Sequence, residues 1–224
     1  MERQRCVTVG GTEEDYVSII GTNYLFPLCT ILERLHELQV RGPNEVQASP
    51  AENGYAAAAV VLTVFLLESM INRTLYVRGD PTPKHPLCFV GATYLEYVDK
   101  LEELFVIRDT IAHNHVWEAK LGQHDTKPMK LVAASRRTGY GRGPRYPKVL
   151  DPKSRKTRLL GLNLFPTRVC RDDAVQVLRV ALEFLTFLEG QDRRYAYVSN
   201  WWVRYDGRMM LFGDMVADLR CTSH

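Results

Sequence analysis

The sequence lacks the cysteine spacing of a disulfide-bonded or zinc-binding protein. Its five cysteines are odd in number and widely spaced, and no two of them form a C-x-x-C pair. They are Cys6, Cys29, Cys88, Cys170 and Cys221. Such a pattern argues against a disulfide framework and against a zinc site, and it is typical of a reducing cytosol. We therefore expect a cytoplasmic protein that holds no metal.

An apolar leader and a membrane-length apolar run are also missing. The first six residues, Met-Glu-Arg-Gln-Arg-Cys, contain no apolar core of a signal peptide. The most apolar run covers residues 55–67. A bilayer span needs roughly 20 such residues. This run therefore predicts a buried core helix, and no membrane partner is expected.

Several common catalytic motifs have no counterpart in the chain. It contains no Walker A loop, no G-x-G-x-x-G, no G-x-S-x-G and no H-E-x-x-H. Nucleotide hydrolysis, serine hydrolase chemistry and zinc protease chemistry are therefore unsupported. No cofactor is predicted.

Acidic residues are almost absent from one segment. Residues 127–158 contain eleven Lys or Arg and a single acid, Asp151, which gives this segment a charge of +10. The whole chain is only +3, so the remainder is acidic. This asymmetry favours a polyanionic partner, although a solvated loop would have the same composition.

Within that segment, basic residues and tyrosines alternate with glycine. Lys and Arg contact phosphates, and aromatic rings stack on bases. The residues that we select as RNA contacts are Arg136, Arg137, Tyr140, Arg142, Arg145 and Tyr146. A flexible surface loop remains the alternative.

Hydrophobic spacing predicts a mainly α protein. The predicted helices cover about residues 25–38, 50–75, 93–118 and 171–190, with Ser49 as the N-cap of the second. A short strand is predicted at residues 159–165. We expect one domain, residues 1–224, built as a bundle of four to five helices. A basic, Gly/Pro-rich insertion occupies about residues 122–158, and an aromatic tail with room for a small β element covers about residues 195–224.

The third predicted helix breaks its own hydrophobic pattern. Alternating steps of four and three along its apolar stripe lead from Tyr94 to Arg108 and then to His115. A guanidinium stays charged in proteins and cannot lie unpaired in a core. Either the helix ends here, or this face meets a polar cleft or a second subunit. Such a local breach is where a functional site is expected.

Residues 108–113, Arg-Asp-Thr-Ile-Ala-His, resemble the signature of the HEPN family, an Arg and a His separated by four to six residues. The residue after the Arg is commonly polar in that family, and Asp109 agrees. The preceding helix, with Glu68 and Asn72, is similar to the family's partner helix. The resemblance covers roughly residues 20–120 and does not account for the basic insertion or the aromatic tail.

The resemblance implies a metal-independent endoribonuclease that acts as a homodimer and brings two Arg–His pairs into one cleft. The His would take the proton of the ribose 2′-OH, and the Arg would stabilise charge on the phosphate. The expected products are a 2′,3′-cyclic phosphate and a 5′-OH end. A toxin or an anti-phage defence effector, with an antitoxin or regulatory protein as partner, would fit this activity.

Several alternatives stay open within this hypothesis. In a straight helix His113 points about 140° away from Arg108, whereas His115 points only about 20° away. Asp109 would orient Arg108 or the histidine, and Glu68, Asn72 and Asn114 would support them. A purely structural interpretation has Arg108 paired with Glu103, Glu68 or Asp109. The corresponding alternatives for function are a non-catalytic HEPN module that binds RNA or a protein, and a helical interaction protein.

Overall fold

The structure is a computed structural model that describes residues 20–38, 49–112, 117–120, 130–134 and 145–219. Within these residues the chain forms seven α-helices and two antiparallel β-hairpins. The helices are α1 (Leu25–Glu37), α2 (Pro50–Arg78), α3 (Pro86–Thr93), α4 (Leu95–Ala112), α5 (Tyr146–Val149), α6 (Arg171–Gln191) and α7 (Phe212–Asp218). The strands are β1 (Trp117–Lys120), β2 (Lys130–Ala134), β3 (Trp202–Tyr205) and β4 (Arg208–Leu211). The predicted mainly α class, with a small β element near the C-terminus, is confirmed.

The ends of α2 follow from its capping residues. The Ser49 hydroxyl accepts a hydrogen bond from the Glu52 N–H at 3.2 Å, and Pro50 takes the first helical position. At the other end Gly79 has a φ of 73°, a left-handed conformation in which glycine has no steric penalty. The hydrogen bond to Ser49 confirms this residue as the predicted N-cap of α2.

α2 is the central helix of the bundle and contacts α1, α4 and α6. Its buried residues recur at helical spacing, among them Val60, Val64, Leu67 and Ile71. By length and composition α2 could also cross a membrane, a property shared by core helices of soluble proteins. Half of its most apolar stretch is buried in this fold, in agreement with the predicted core helix.

The third predicted helix corresponds to α4, and the short helix α3, which ends one residue before Tyr94, was not predicted. The predicted apolar stripe holds, since Tyr94, Leu101, Leu104 and Phe105 are all buried. The expected continuation to Glu118 is wrong. Residues 117–120 pair as a strand with β2, so their backbone hydrogen bonds go to another segment and not to the preceding helical turn.

The segment predicted as a strand at residues 159–165 is not one. The N–H groups of Leu159 and Leu160 each donate to the Glu103 carboxylate at 2.8 Å, and only isolated bridges form nearby. The segment is therefore fixed by a buried side chain rather than by a strand ladder. The loop expected around residue 150 also contains a helical turn, α5, whose Tyr146 and Val149 are buried.

The C-terminal tail ends in a β-hairpin and a short helix. Asp206 and Gly207 both have positive φ values, 50° and 71°, as in the two-residue turns that match the twist of a hairpin. Val203 is buried on the inner face, while Trp202 is 58% exposed on the outer one. α7 follows β4 directly and closes the described part of the chain.

Candidate functional site

Arg108 lies one helical turn before the last residue of α4, and its guanidinium faces α2. Nη1 is 3.2 Å from Oε2 of Glu68, and Nη2 is 3.2 Å from Oε1 of the same carboxylate. This end-on arrangement is the planar, two-bond geometry that favours an arginine over a lysine. The Arg108 side chain is 15% exposed, so the pair lies at the edge of the core.

Asp109 provides a second carboxylate for the same guanidinium. Its Oδ1 lies 2.9 Å from Nε of Arg108, yet the orientation of that N–H is not that of a hydrogen bond. We therefore treat the contact as an ion pair and not as a directed bond. The Asp109 side chain is 37% exposed, more than the 24% of Glu68.

Two aromatic rings contact the guanidinium from the core. The Arg108 Cζ lies 5.6 Å from the ring centre of Phe105 and 5.9 Å from that of Phe65. Both distances fall in the range of cation–π attraction. The rings, together with Glu68, explain how a permanent charge is accommodated on a face that is apolar one turn earlier.

His85 joins this group from a different element. As the N-cap of α3, it accepts the Leu87 N–H on Nδ1 at 3.1 Å, and its ring packs edge-on against Phe105 with 4.9 Å between centres. Burial lowers the pKa of His85 to about 4; the charge of Arg145 adds to the lowering, Asp109 opposes it, and Arg108 adds a smaller contribution. His85 is therefore neutral at pH 7.

Arg145 approaches the same side of α4. Its Nε lies 3.5 Å from Oε1 of Glu102, two helical turns before Asp109. Arg145 belongs to the basic insertion and directly precedes α5. The fold thus brings one residue of the basic insertion, Arg145, next to His85 and α4.

These six residues form what we call the Arg108 cluster. They are Glu68, His85, Glu102, Arg108, Asp109 and Arg145. With His85 neutral, the cluster contains two positive and three negative side chains. Its own charge therefore does not attract a phosphate, and any long-range attraction for RNA has to come from the rest of the basic insertion.

Some predicted site residues meet in this cluster and others do not. Arg108, Asp109, Glu68 and Arg145 come together. Asn72 is exposed on α2, and Tyr146 is only 3% exposed, so its ring offers no face to a base in this fold. The remaining predicted residues lie outside the described residues: His113, Asn114, His115, Arg136, Arg137, Tyr140 and Arg142.

The sequence prediction missed His85 as a site residue. A local signal existed, because a histidine directly before Pro86 at the start of an apolar run fits the N-cap position. Nothing local places that histidine beside Phe105, Arg108 and Arg145, which are distant in sequence. Glu103, an alternative partner for Arg108, instead binds the backbone of Leu159 and Leu160.

A separate cavity of about 650 Å³ lies between α1, the β3–β4 hairpin and α7. Its lining includes Glu33, His36, Tyr205 and Asp218, none of which belongs to the Arg108 cluster. Among the described residues, no group of three or more His, Cys, Asp or Glu is arranged to hold a metal ion.

Comparison with family models, with curated proteins and with solved structures finds no match to this chain. The resemblance to the HEPN family therefore depends on the motif and its surroundings alone.

Proposed function

We propose that this chain is a metal-independent endoribonuclease of the HEPN type that acts as a homodimer, with Arg108 and His113 at the scissile phosphodiester. The observation that carries the proposal is the Glu68–Arg108 pair. The resemblance leads us to expect a polar or acidic residue on the partner helix, and Glu68 of that helix accepts two hydrogen bonds from the guanidinium. Arg108 is also placed immediately before the residues that complete the motif.

The proposed reaction needs no metal because the attacking group belongs to the RNA. His113 takes the proton of the 2′-OH, the 2′ oxygen attacks phosphorus, and the bond from phosphorus to the 5′ oxygen breaks. The protonated His113 then returns a proton to the leaving 5′ oxygen, which leaves a 2′,3′-cyclic phosphate and a 5′-OH. Arg108 stabilises the negative charge on the phosphate oxygens. His115 is the alternative proton acceptor.

For this role Arg108 has to contact a phosphate while its hydrogen bonds to Glu68 remain. Glu68 engages one N–H from each Nη atom, and a guanidinium has five N–H groups in total. A phosphate would therefore compete with Asp109, the more exposed of the two carboxylates, rather than with Glu68. Asp109 is then a residue that orients Arg108 in the free protein.

A second candidate function is supported by the same ion pairs. Two carboxylates and two rings already compensate the Arg108 charge, which suits a residue that only stabilises the fold. In that case the chain is a non-catalytic module that binds RNA through its basic insertion. The cytoplasmic location, the toxin or defence role and the regulatory partner stay predictions under either function.

One experiment separates the two functions. Purified protein is incubated with single-stranded and structured RNA in EDTA, beside Arg108→Ala, His113→Ala and His115→Ala. Arg78→Ala is a matched control, since Arg78 also pairs with a carboxylate, Asp80, and lies over a ring, Phe89.

A nuclease would cleave in EDTA, lose activity with Arg108→Ala and keep it with Arg78→Ala. Cleavage that requires a divalent metal would contradict the proposed mechanism. RNA binding without any cleavage would support the binding module.

A further inference from the structure

We propose that the Nε2–H of His85 is a phosphate-binding group of the same site and donates a hydrogen bond to the RNA phosphodiester beside Arg108. This inference rests on the proposed function and adds a residue that lies outside the Arg–His motif. It assigns His85 a different task from His113, because His85 would bind the phosphate without transferring a proton.

His85 and Arg108 contact the same aromatic ring of α4. The His85 ring packs against Phe105 with 4.9 Å between centres, and the Arg108 guanidinium lies 5.6 Å from the centre of the Phe105 ring. The imidazole and the guanidinium are thus neighbours on one aromatic side chain. Besides burial, the charges of Arg145, Asp109 and Arg108 all act on the pKa of His85, which places the imidazole near these side chains. In the proposal, a phosphate bound at Arg108 lies within reach of Nε2.

The hydrogen bonding of the ring decides which nitrogen faces the ligand. Nδ1 accepts the Leu87 N–H at 3.1 Å, so this nitrogen carries no proton in the neutral imidazole. The proton is therefore assigned to Nε2 from the bonding of Nδ1. Nε2–H is a donor, and a phosphate oxygen is an acceptor.

The charge state of His85 suits a donor and excludes a general base. The imidazole stays neutral above about pH 5, because burial and the nearby Arg145 and Arg108 lower its pKa to about 4 against the opposing charge of Asp109. A base needs a free lone pair, and the only one is engaged by Leu87. A neutral donor also places no further charge beside the two arginines.

The charge balance of the Arg108 cluster makes such a donor useful. Three carboxylates face two arginines there, so the net charge of the cluster does not attract a phosphate. The basic insertion would supply the long-range attraction, and a directed hydrogen bond from a fixed ring would then position the phosphate. The backbone cap on α3 holds that ring in one orientation.

Two substitutions separate the cap from the donor. His85→Asn retains an acceptor near the position of Nδ1, and Asn is among the best N-cap residues, but it removes the Nε2 donor. His85→Gln retains an amide donor near the position of Nε2 and loses the cap. Each variant is measured for melting temperature, for affinity to a single-stranded RNA oligonucleotide and for cleavage in EDTA.

We expect His85→Asn to fold like wild type and to bind RNA roughly 10- to 100-fold more weakly, the size of one hydrogen bond to a charged group. His85→Gln should melt at a lower temperature and bind more tightly than His85→Asn. Equal RNA affinity of the two folded variants, or wild-type affinity of His85→Asn, would overturn the proposal and leave His85 as a cap only.

Failure of the proposed function gives a different result. If wild-type protein neither binds nor cleaves RNA, the proposed function fails and this inference fails with it. If wild type binds RNA but does not cleave it, the affinity measurement still tests His85. In a cleaving enzyme the pH–rate profile of His85→Asn should keep the wild-type shape between about pH 5 and 8, and loss of one limb would contradict a neutral donor.

Discussion

Two regions of the molecule bury carboxylates in opposite ways. Glu103 and Asp173 are 1% and 4% exposed, and both accept hydrogen bonds from backbone N–H groups of other segments. In the Arg108 cluster, Glu68 and Asp109 pair with the Arg108 side chain, Glu68 through two hydrogen bonds and Asp109 through an ion pair, and both stay partly exposed. The first region joins chain segments, whereas the second holds a cation.

The difference shows which charged group can change partners. Removing a carboxylate bonded to the backbone leaves buried N–H groups without an acceptor, which is expensive in any folded protein. Opening a pair between two partly exposed side chains leaves no backbone group unsatisfied. The Arg108 cluster is therefore the region that can exchange a protein contact for a ligand contact.

Among the substitutions, the largest expected loss of stability follows from removing a carboxylate that binds backbone N–H groups. Asp173→Ala removes the acceptor of the Asn163 and Cys170 N–H groups, so we expect the free energy of unfolding to fall by about 3 kcal/mol. Urea unfolding measures it. Asp173→Asn is the matched control and should lose less, because its amide oxygen still accepts one of these bonds. If the free energy of unfolding of Asp173→Ala falls by less than about 1 kcal/mol, the two regions do not differ in the way described.

Arg108→Ala should cost less stability, about 2 kcal/mol, because the pair with Glu68 is only partly buried. Part of that cost comes from Glu68, which would be left with no cation beside it. Arg78→Ala, with a more exposed pair, should cost about 1 kcal/mol or less. Urea unfolding of both variants tests the order. A larger loss for Arg108→Ala than for Asp173→Ala would identify Arg108 as mainly a structural residue.

Glu68→Gln should have a smaller effect on stability, about 1 kcal/mol, because the amide can still accept one hydrogen bond from Arg108. RNA affinity should rise several-fold, since one negative charge beside the bound phosphate has been removed. Titration with a fluorescent RNA at fixed salt measures it, with Glu183→Gln, in the exposed pair with Lys100, as a control. Loss of RNA binding by a folded Glu68→Gln protein would show that Arg108 cannot exchange a protein contact for a phosphate contact.

A separate effect is a dependence of stability on pH that comes from His85. Its pKa is about 4 in the folded protein and about 6.5 in an unfolded chain, so protons bind more readily to the unfolded state. The contribution of His85 to stability is present above about pH 6.5 and is lost as the pH falls towards 4. Urea unfolding at several pH values should show this decline in wild type and a weaker one in His85→Asn. Identical slopes would contradict the buried, neutral imidazole.

Much of the helical framework could be predicted because its signals are local. Ser49 followed by Pro50, Gly79 after an apolar helix, and the stripe that includes Leu101 and Phe105 are each patterns within one or two turns. The conformation of residues 159–165 depends on contacts with a distant residue, because the Glu103 carboxylate accepts the N–H groups of Leu159 and Leu160. Local periodicity contains no information about such contacts.

The candidate site could be predicted only in part, for the same reason. The mismatch of Arg108 with its apolar stripe predicts a polar partner, and Glu68 is one of the three partners that the sequence offers. The neutral His85 and the approach of Arg145 to α4 arise from the packing of α3 and α5 on α4. A motif search along one helix cannot find them.

The most direct test of the account is the chemistry of the RNA ends after incubation in EDTA. If Arg108 serves a metal-independent nuclease, wild-type protein leaves 2′,3′-cyclic phosphate and 5′-OH ends, Arg78→Ala does the same, and Arg108→Ala is slower by about 100-fold or more. Intact RNA with wild type, or the same rate of cleavage by folded Arg108→Ala protein, would contradict it.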